Sequence, residues 1–287
     1  MKKTVISITT VFVLLFVAIT VFKGRSTEGV GQDGGLESPD TEGRRQTQQF
    51  WQLYRGATQH RTAGDSRRAA EEYRQALDLN PEHEDALYYL GSMHFELGEF
   101  REAELTWQRL TEVAPTGSRG FSRLGSLYFC FEQDQYFDLA QAQRSFEQAL
   151  AINSEETGPL LHLGQIALVR GDHDRALEYF DAVTATNFRS VPAFYFKGYI
   201  AWRAGDTAAA EELFRQAAQH QGPMQPVEGV LSEGDTRSGE AILAQSGQCR
   251  AFQSHTENLP SPEDPNLRGF MRDRYTTLDT FLRDQVH

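Results

Sequence analysis

The stretch Asp85–Pro115, DALYYLGSMHFELGEFREAELTWQRLTEVAP, constrains the fold more than any other part of the 287-residue chain. Leu87, Leu90-Gly91, His94, Gly98, Ala103, Trp107 and Pro115 fall at the intervals of a helix, a tight turn and a second, antiparallel helix. Gly91 and Ala103 are small where two such helices must cross closely, and Trp107 is the bulk that fills the space beside them. Gly98-Glu99 makes the turn. Pro115, with no amide hydrogen to donate, ends the second helix and sets the entry to the next unit. One helical hairpin of this size cannot bury its own apolar face, so the chain has to supply neighbours.

Neighbours are present in the same register. Upstream lie Leu53, Ala57, Gly64-Asp65, Ala69, Tyr73, Ala76 and Pro81. Downstream come Phe121, Leu124-Gly125 and Tyr128, then Ala142, Phe146 and Ala149 once five extra residues are allowed within Glu132–Leu139. A fourth unit carries Leu160, Leu163-Gly164, Gly171-Asp172, Ala176, Phe180 and Val183, and a fifth Phe194, Gly198, Gly205-Asp206, Ala210, Phe214 and Ala217. The pattern resembles the tetratricopeptide repeat. Gly56 and Lys197 replace the usual Leu, and Ser154, Phe188 and Gly222 replace the closing proline. The resemblance implies an all-α, right-handed superhelical solenoid of about five helix-turn-helix repeats near 50–83, 84–117, 118–156, 157–190 and 191–224, a repeat domain of residues 50–224.

The formal net charge of −12 argues against nucleic acid as the main partner, because phosphate binding needs a basic face to release counterions. An acidic solenoid suits protein partners. At the N-terminus, Lys2 and Lys3 precede an uncharged run, Thr4–Phe22, followed by Lys23 and Arg25. As a helix this run would reach roughly 28 Å, close to the thickness of a bilayer core. Residues 1–25 therefore read as a single-pass transmembrane anchor, with a cleaved secretory signal as the alternative, since Ala18-Ile19-Thr20 is a poor cleavage site. The flanking bases give a slight bias that puts the repeats on the extracytoplasmic, periplasmic side. Residues 26–49, glycine-rich between Gly29 and Gly35, read as a flexible linker.

The resemblance further implies that the first helix of each unit lines a concave groove. Its places are filled here by Tyr54, Arg55, Tyr88, Tyr89, Phe95, Arg119, Arg123, Phe129, His162, Gln165, Tyr195, Tyr199 and Trp202, with Trp51 and Leu161 beside them. Such an aromatic surface supplies rigid contact area for a protein or peptide ligand. The alternative is packing between helices, or filling by the chain's own tail. Some family members hold acidic C-termini in a carboxylate clamp. Arg119 and Arg123 match two basic places of that clamp, while Tyr54, Thr58 and Tyr89 occupy the others, so the full clamp is absent. His60 and His94 stand where the family packs a tyrosine. His162 and His173 lie on different helices, and no HExxH, GxSxG or phosphate loop occurs. No enzyme activity, cofactor or metal is expected.

Residues 225–260 read as an irregular tail with a short helical candidate at 238–245. Residues 261–285 read as an amphipathic helix opened by Ser261-Pro262-Glu263-Asp264, with a stripe of Leu267, Phe270, Met271, Leu278, Phe281 and Leu282. A solenoid's last unit exposes its face, so this helix is expected to cap the fifth unit or lie along the stack, with partner binding or dimerisation as the alternative. Cys130 and Cys249 read first as two unrelated thiols; a bond between them would require Cα atoms within about 7 Å and a tail lying in the groove. The sequence as a whole points to a membrane-tethered adaptor that holds a protein or peptide. Self-association into an envelope assembly is the competing reading.

Overall fold

The computed structural model describes residues 39–221 and 249–285; the expected anchor, most of the linker and the helical candidate at 238–245 lie outside the described residues. Among the described residues there are helices and no strand. Five antiparallel hairpins follow one another: α1 (Pro39–Thr62) with α2 (Ser66–Leu79), α3 (Glu84–Glu96) with α4 (Phe100–Val113), α5 (Ser118–Tyr128) with α6 (Leu139–Ile152), α7 (Thr157–Val169) with α8 (His173–Thr186), and α9 (Val191–Arg203) with α10 (Thr207–Gln221). The one-turn helix α11 (Gln253–Thr256) and the final helix α12 (Leu267–Asp284) complete the chain. From α2 to α10 each helix packs on the next, which is the layering of a solenoid.

The spacing in the sequence has a direct physical counterpart. Ala103 and Trp107 are fully buried, and a Cβ at Gly91 would collide with the Trp107 indole. Gly125 faces Phe146 and Gly164 faces Phe180 in the same way. Within four hairpins the turn is closed by a glycine in the left-handed region, where a side chain would be strained: Gly64, Gly98, Gly171 and Gly205 at φ of 79°, 76°, 72° and 84°. Three of the four are followed by an aspartate that caps the second helix: Asp65, Asp172 and Asp206 accept from the backbone N–H three residues on.

The third hairpin lacks that glycine, and the longer loop takes its place. Asp138 caps α6 by accepting from the N–H groups of Ala140 and Gln141, and its carboxyl is held below the usual range, first by the Gln141 side chain. Phe137 and Tyr136 turn back onto Phe131 (4.4 Å between centroids) and Phe100 (5.6 Å). The aromatic tip covers the stack.

Two boundaries differ from the sequence reading. Helix α1 starts at Pro39 rather than Phe50, so residues 39–49 are helical and 41–49 exposed. Proline is tolerated in a first turn, and the polar run after it has no residue that breaks a helix other than Gly43. Helix α12 starts at Leu267, not Ser261. Pro265 is the cause: it disfavours helical backbone at Asp264 and has no N–H to give, so Ser261–Asp264 forms a turn, with Asp264 N–H donating to the Ser261 carbonyl, and the helix begins beyond it.

Candidate functional site

The first helices place their aromatic residues on one face, but the two ends of that face are in different states. In units one and two, and at Arg119 in unit three, it is open among the described residues. Trp51 is 47% exposed, Arg55 and Arg119 are exposed, and Tyr54 and Tyr89 are half-buried. Tyr54 packs edge-on to Tyr73, and burial pushes its hydroxyl pKa well above the ordinary value. Tyr89 stacks on Tyr73 and carries the Arg61 guanidinium 4.3 Å above its ring. Arg119 and Arg123 both lie 5.0 Å from the Tyr88 ring. Arg119 is paired with Asp85 at 2.8 Å, whereas buried Arg123 donates to the Tyr88 hydroxyl. A hollow of about 230 Å³ opens here, lined among others by Tyr88, Arg119, Arg123, Glu156 and His162. Glu156 accepts from Ser122 with one oxygen, while its Oε2 is buried with no hydrogen-bond partner among the described residues.

In units four and five the same face is occupied by the chain's own C-terminal segment. Tyr195 and Tyr199 are buried and Trp202 is half-buried, because α12 lies across them. Tyr275 is fully buried, at ring distances of 5.1, 6.0 and 6.0 Å from Tyr195, Tyr199 and Trp202, and its hydroxyl donates to the Tyr195 carbonyl. A Cβ at Gly198 would meet that hydroxyl, so the cradle which earlier units fill from their own second helix takes Tyr275 in the fifth. Asp279, 8% exposed, accepts from Tyr199 (2.9 Å) and Arg203 (2.7 Å) and pairs with Arg283 (2.6 Å). Burial and then the Asp279 hydrogen bond raise the Tyr199 hydroxyl pKa.

Residues 249–259 form a strap that leads into α12. Cys249 is disulfide-bonded to Cys130, with Cα atoms 4.6 Å apart across 119 positions of sequence. The favoured reading of two unrelated thiols is therefore corrected: the third unit's loop brings Cys130 to the groove, and the strap brings Cys249 to it. Phe252, 5% exposed, sits among Phe129, Phe131, Phe196 and Phe281 at 5.4 to 5.7 Å. Arg250 N–H donates to Glu132 (2.7 Å), Leu259 N–H to Gln221 (2.8 Å), and the Arg274 guanidinium to the Asn258 carbonyl (3.0 Å). His255 is buried beneath Phe281; burial first, then Arg274, lowers its pKa to about 4.

The remaining expected groove residues divide accordingly. Phe129 is buried against Phe252 and Phe131. His162 stacks on Phe146 at 4.9 Å and pairs with Gln165 at 2.9 Å. Phe95 is not a groove residue: it is fully buried against Phe100 and Trp107, inside the second hairpin. The residues that do the covering, Phe252, Tyr275 and Asp279, were not among the expected ones. Tyr275 carried a signal, since it stands four after Met271 and three before Leu278 on the apolar stripe.

A tetratricopeptide repeat family model matches residues 54–118, 138–192 and 161–226, together more than half of the chain. The chain belongs to the tetratricopeptide repeat family. Among curated relatives it is similar to the cellulose synthase 2 operon protein C of Komagataeibacter xylinus, 28% identical over 156 residues, which is 54% of this chain and 12% of that protein. It is also similar to anaphase-promoting complex subunit 3 of Schizosaccharomyces pombe, 21% identical over 127 residues, 44% of this chain and 18% of that protein. The chain thus spans less than a fifth of the length of either relative. Among solved structures, Pseudomonas aeruginosa pilF superposes with a TM-score of 0.54 at 14% identity, over 83% of this chain and 93% of that one. MamA superposes at 0.51 and 20% identity, over 65% of this chain and 99% of that one. Identities this low speak to the fold alone.

Proposed function

We propose that the protein is a membrane-tethered adaptor that holds a protein or peptide on the open half of its concave face, by binding geometry and without chemistry of its own. The observation that carries this reading is the contrast in cover: Trp51, Tyr54, Arg55, Tyr89 and Arg119 stay accessible while Tyr195 and Tyr199 are buried by the chain itself. Exposed aromatic rings beside arginines are the residue types that anchor interfaces. The unpaired Glu156 Oε2 and the Arg123 guanidinium give a bound backbone one acceptor and one donor in the same hollow. Tethering rests on the uncharged run Thr4–Phe22 and its flanking bases; among the described residues no helix is long and apolar enough to cross a membrane. The Cys130–Cys249 bond favours an extracytoplasmic location, where disulfides persist.

The test is site-specific photo-crosslinking in native membranes with the crosslinker at position 51 or, as a control, at position 188, where Phe188 is 72% exposed in the turn between α8 and α9. The expected result is a discrete adduct from position 51 and none from 188. An adduct with twice the chain's mass would instead identify self-association, and equal labelling at both positions would exclude the groove as the binding face. Extraction by alkaline carbonate without loss of the N-terminus would contradict the tether.

A further inference from the structure

The strap does not fill all the space it crosses. Between it and the first helices lies a chamber of about 410 Å³, within the size range of small-molecule sites. Phe129, Phe131, Leu161, Pro192 and Phe252 make its walls apolar, and strap residues from Cys249 to Thr256 close one side. Among its lining residues Gln165 is only 4% exposed. Its Oε1 is bound to His162 Nδ1 at 2.9 Å, and its Nε2 makes no hydrogen bond among the described residues. An amide donor left unused beside an apolar chamber gains a hydrogen bond from an acceptor placed in that chamber. The lining contains Glu132 and neither lysine nor arginine, so it disfavours an anion.

We propose that this chamber is a binding site for a small, neutral, largely aromatic molecule carrying one carbonyl-type acceptor, whose oxygen accepts from Gln165 Nε2 while its ring lies among Phe129, Phe131 and Phe252. The chamber adjoins the hollow of the open half, with Ser126 and His162 lining both, and it exists because the strap and the first helices are held together.

The test is fluorescence titration of the full-length, disulfide-intact protein with two probes: the neutral naphthyl ketone prodan, and 2-dimethylaminonaphthalene, which has the same ring and no carbonyl. One saturable equivalent of prodan is expected. Gln165→Leu should weaken prodan by about threefold to tenfold, the worth of one neutral hydrogen bond, and leave the ketone-free probe unchanged. Should Gln165→Leu fail to fold, Gln165→Met removes the same donor with an unbranched chain. Tyr89→Ala should alter neither probe. The proposal is overturned by binding that does not saturate, by a Gln165 effect equal for both probes or absent from both, or by loss of binding in Tyr89→Ala, which would place the probe on the other half of the face.

Discussion

In units one to three the concave tyrosines Tyr54 and Tyr89 are half-buried beside arginines, whereas in unit five Tyr195 and Tyr199 are closed off beneath α12. The hairpins beneath are alike: Gly91 receives Trp107, Gly125 receives Phe146 and Gly164 receives Phe180. What differs, among the described residues, is whether an apolar segment of the chain lies across the face. Tyr275 enters the cradle at Gly198, and Phe252 enters the ring cluster around Phe129, each removing from water a large side chain worth about 1.5–3 kcal/mol. A repeat surface that is the same by construction thus stays accessible at one end and becomes an internal interface at the other.

The largest expected effects come from the cores of the two regions. Trp107→Ala and Tyr275→Ala should each cost about 3–5 kcal/mol in a denaturant titration, since both delete a fully buried aromatic ring. Only Tyr275→Ala should also raise binding of a hydrophobic dye, because it uncovers Tyr195 and Tyr199. Equal dye binding in the two variants would mean that α12 does not cover that half.

Acid should act on the covered half through His255. Its pKa is lowered to about 4 in the folded chain against about 6.5 unfolded, so the unfolded chain takes up a proton more readily. Stability from this group is complete above about pH 6.5 and is lost as pH falls toward 4, a change of roughly 3 kcal/mol. His255→Phe should flatten that part of the pH profile of the denaturation midpoint, and an unaltered slope would remove His255 as its origin.

Asp279→Asn keeps the shape of α12 and weakens its charge-assisted contacts to Tyr199 and Arg203, at a cost of about 1–3 kcal/mol. The smallest effect on stability belongs to the open half. Tyr89→Ala should change it by about 1 kcal/mol or less while abolishing the crosslink from position 51, the reverse of the pattern at Tyr275. A large loss of stability there would mark Tyr89 as core.

The repeats were legible because a glycine, an alanine and a large aromatic at fixed spacing leave one way for two helices to cross. The state of the concave face was legible only in part, since the same helix place serves different ends. Phe95 occupies a groove place by register, yet its ring turns inward to Phe100 and Trp107. Tyr195 and Tyr199 are groove residues by register and are covered from the far end of the chain. The strap was beyond reach for a different reason: Cys130 and Cys249 are separated by 119 positions, and no local pattern states that the third unit's loop and the tail converge. Pro265 was visible in the sequence and does set the start of α12.

The division of the concave face rests most directly on the strap's attachment across the groove, and non-reducing peptide mapping of the full-length protein purified from its native compartment reads that attachment. The expected result is a single pair of peptides joined through Cys130 and Cys249, separating on reduction. Recovery of both cysteines as free, alkylated thiols would contradict the closed half, and with it the contrast in cover on which the proposed function depends.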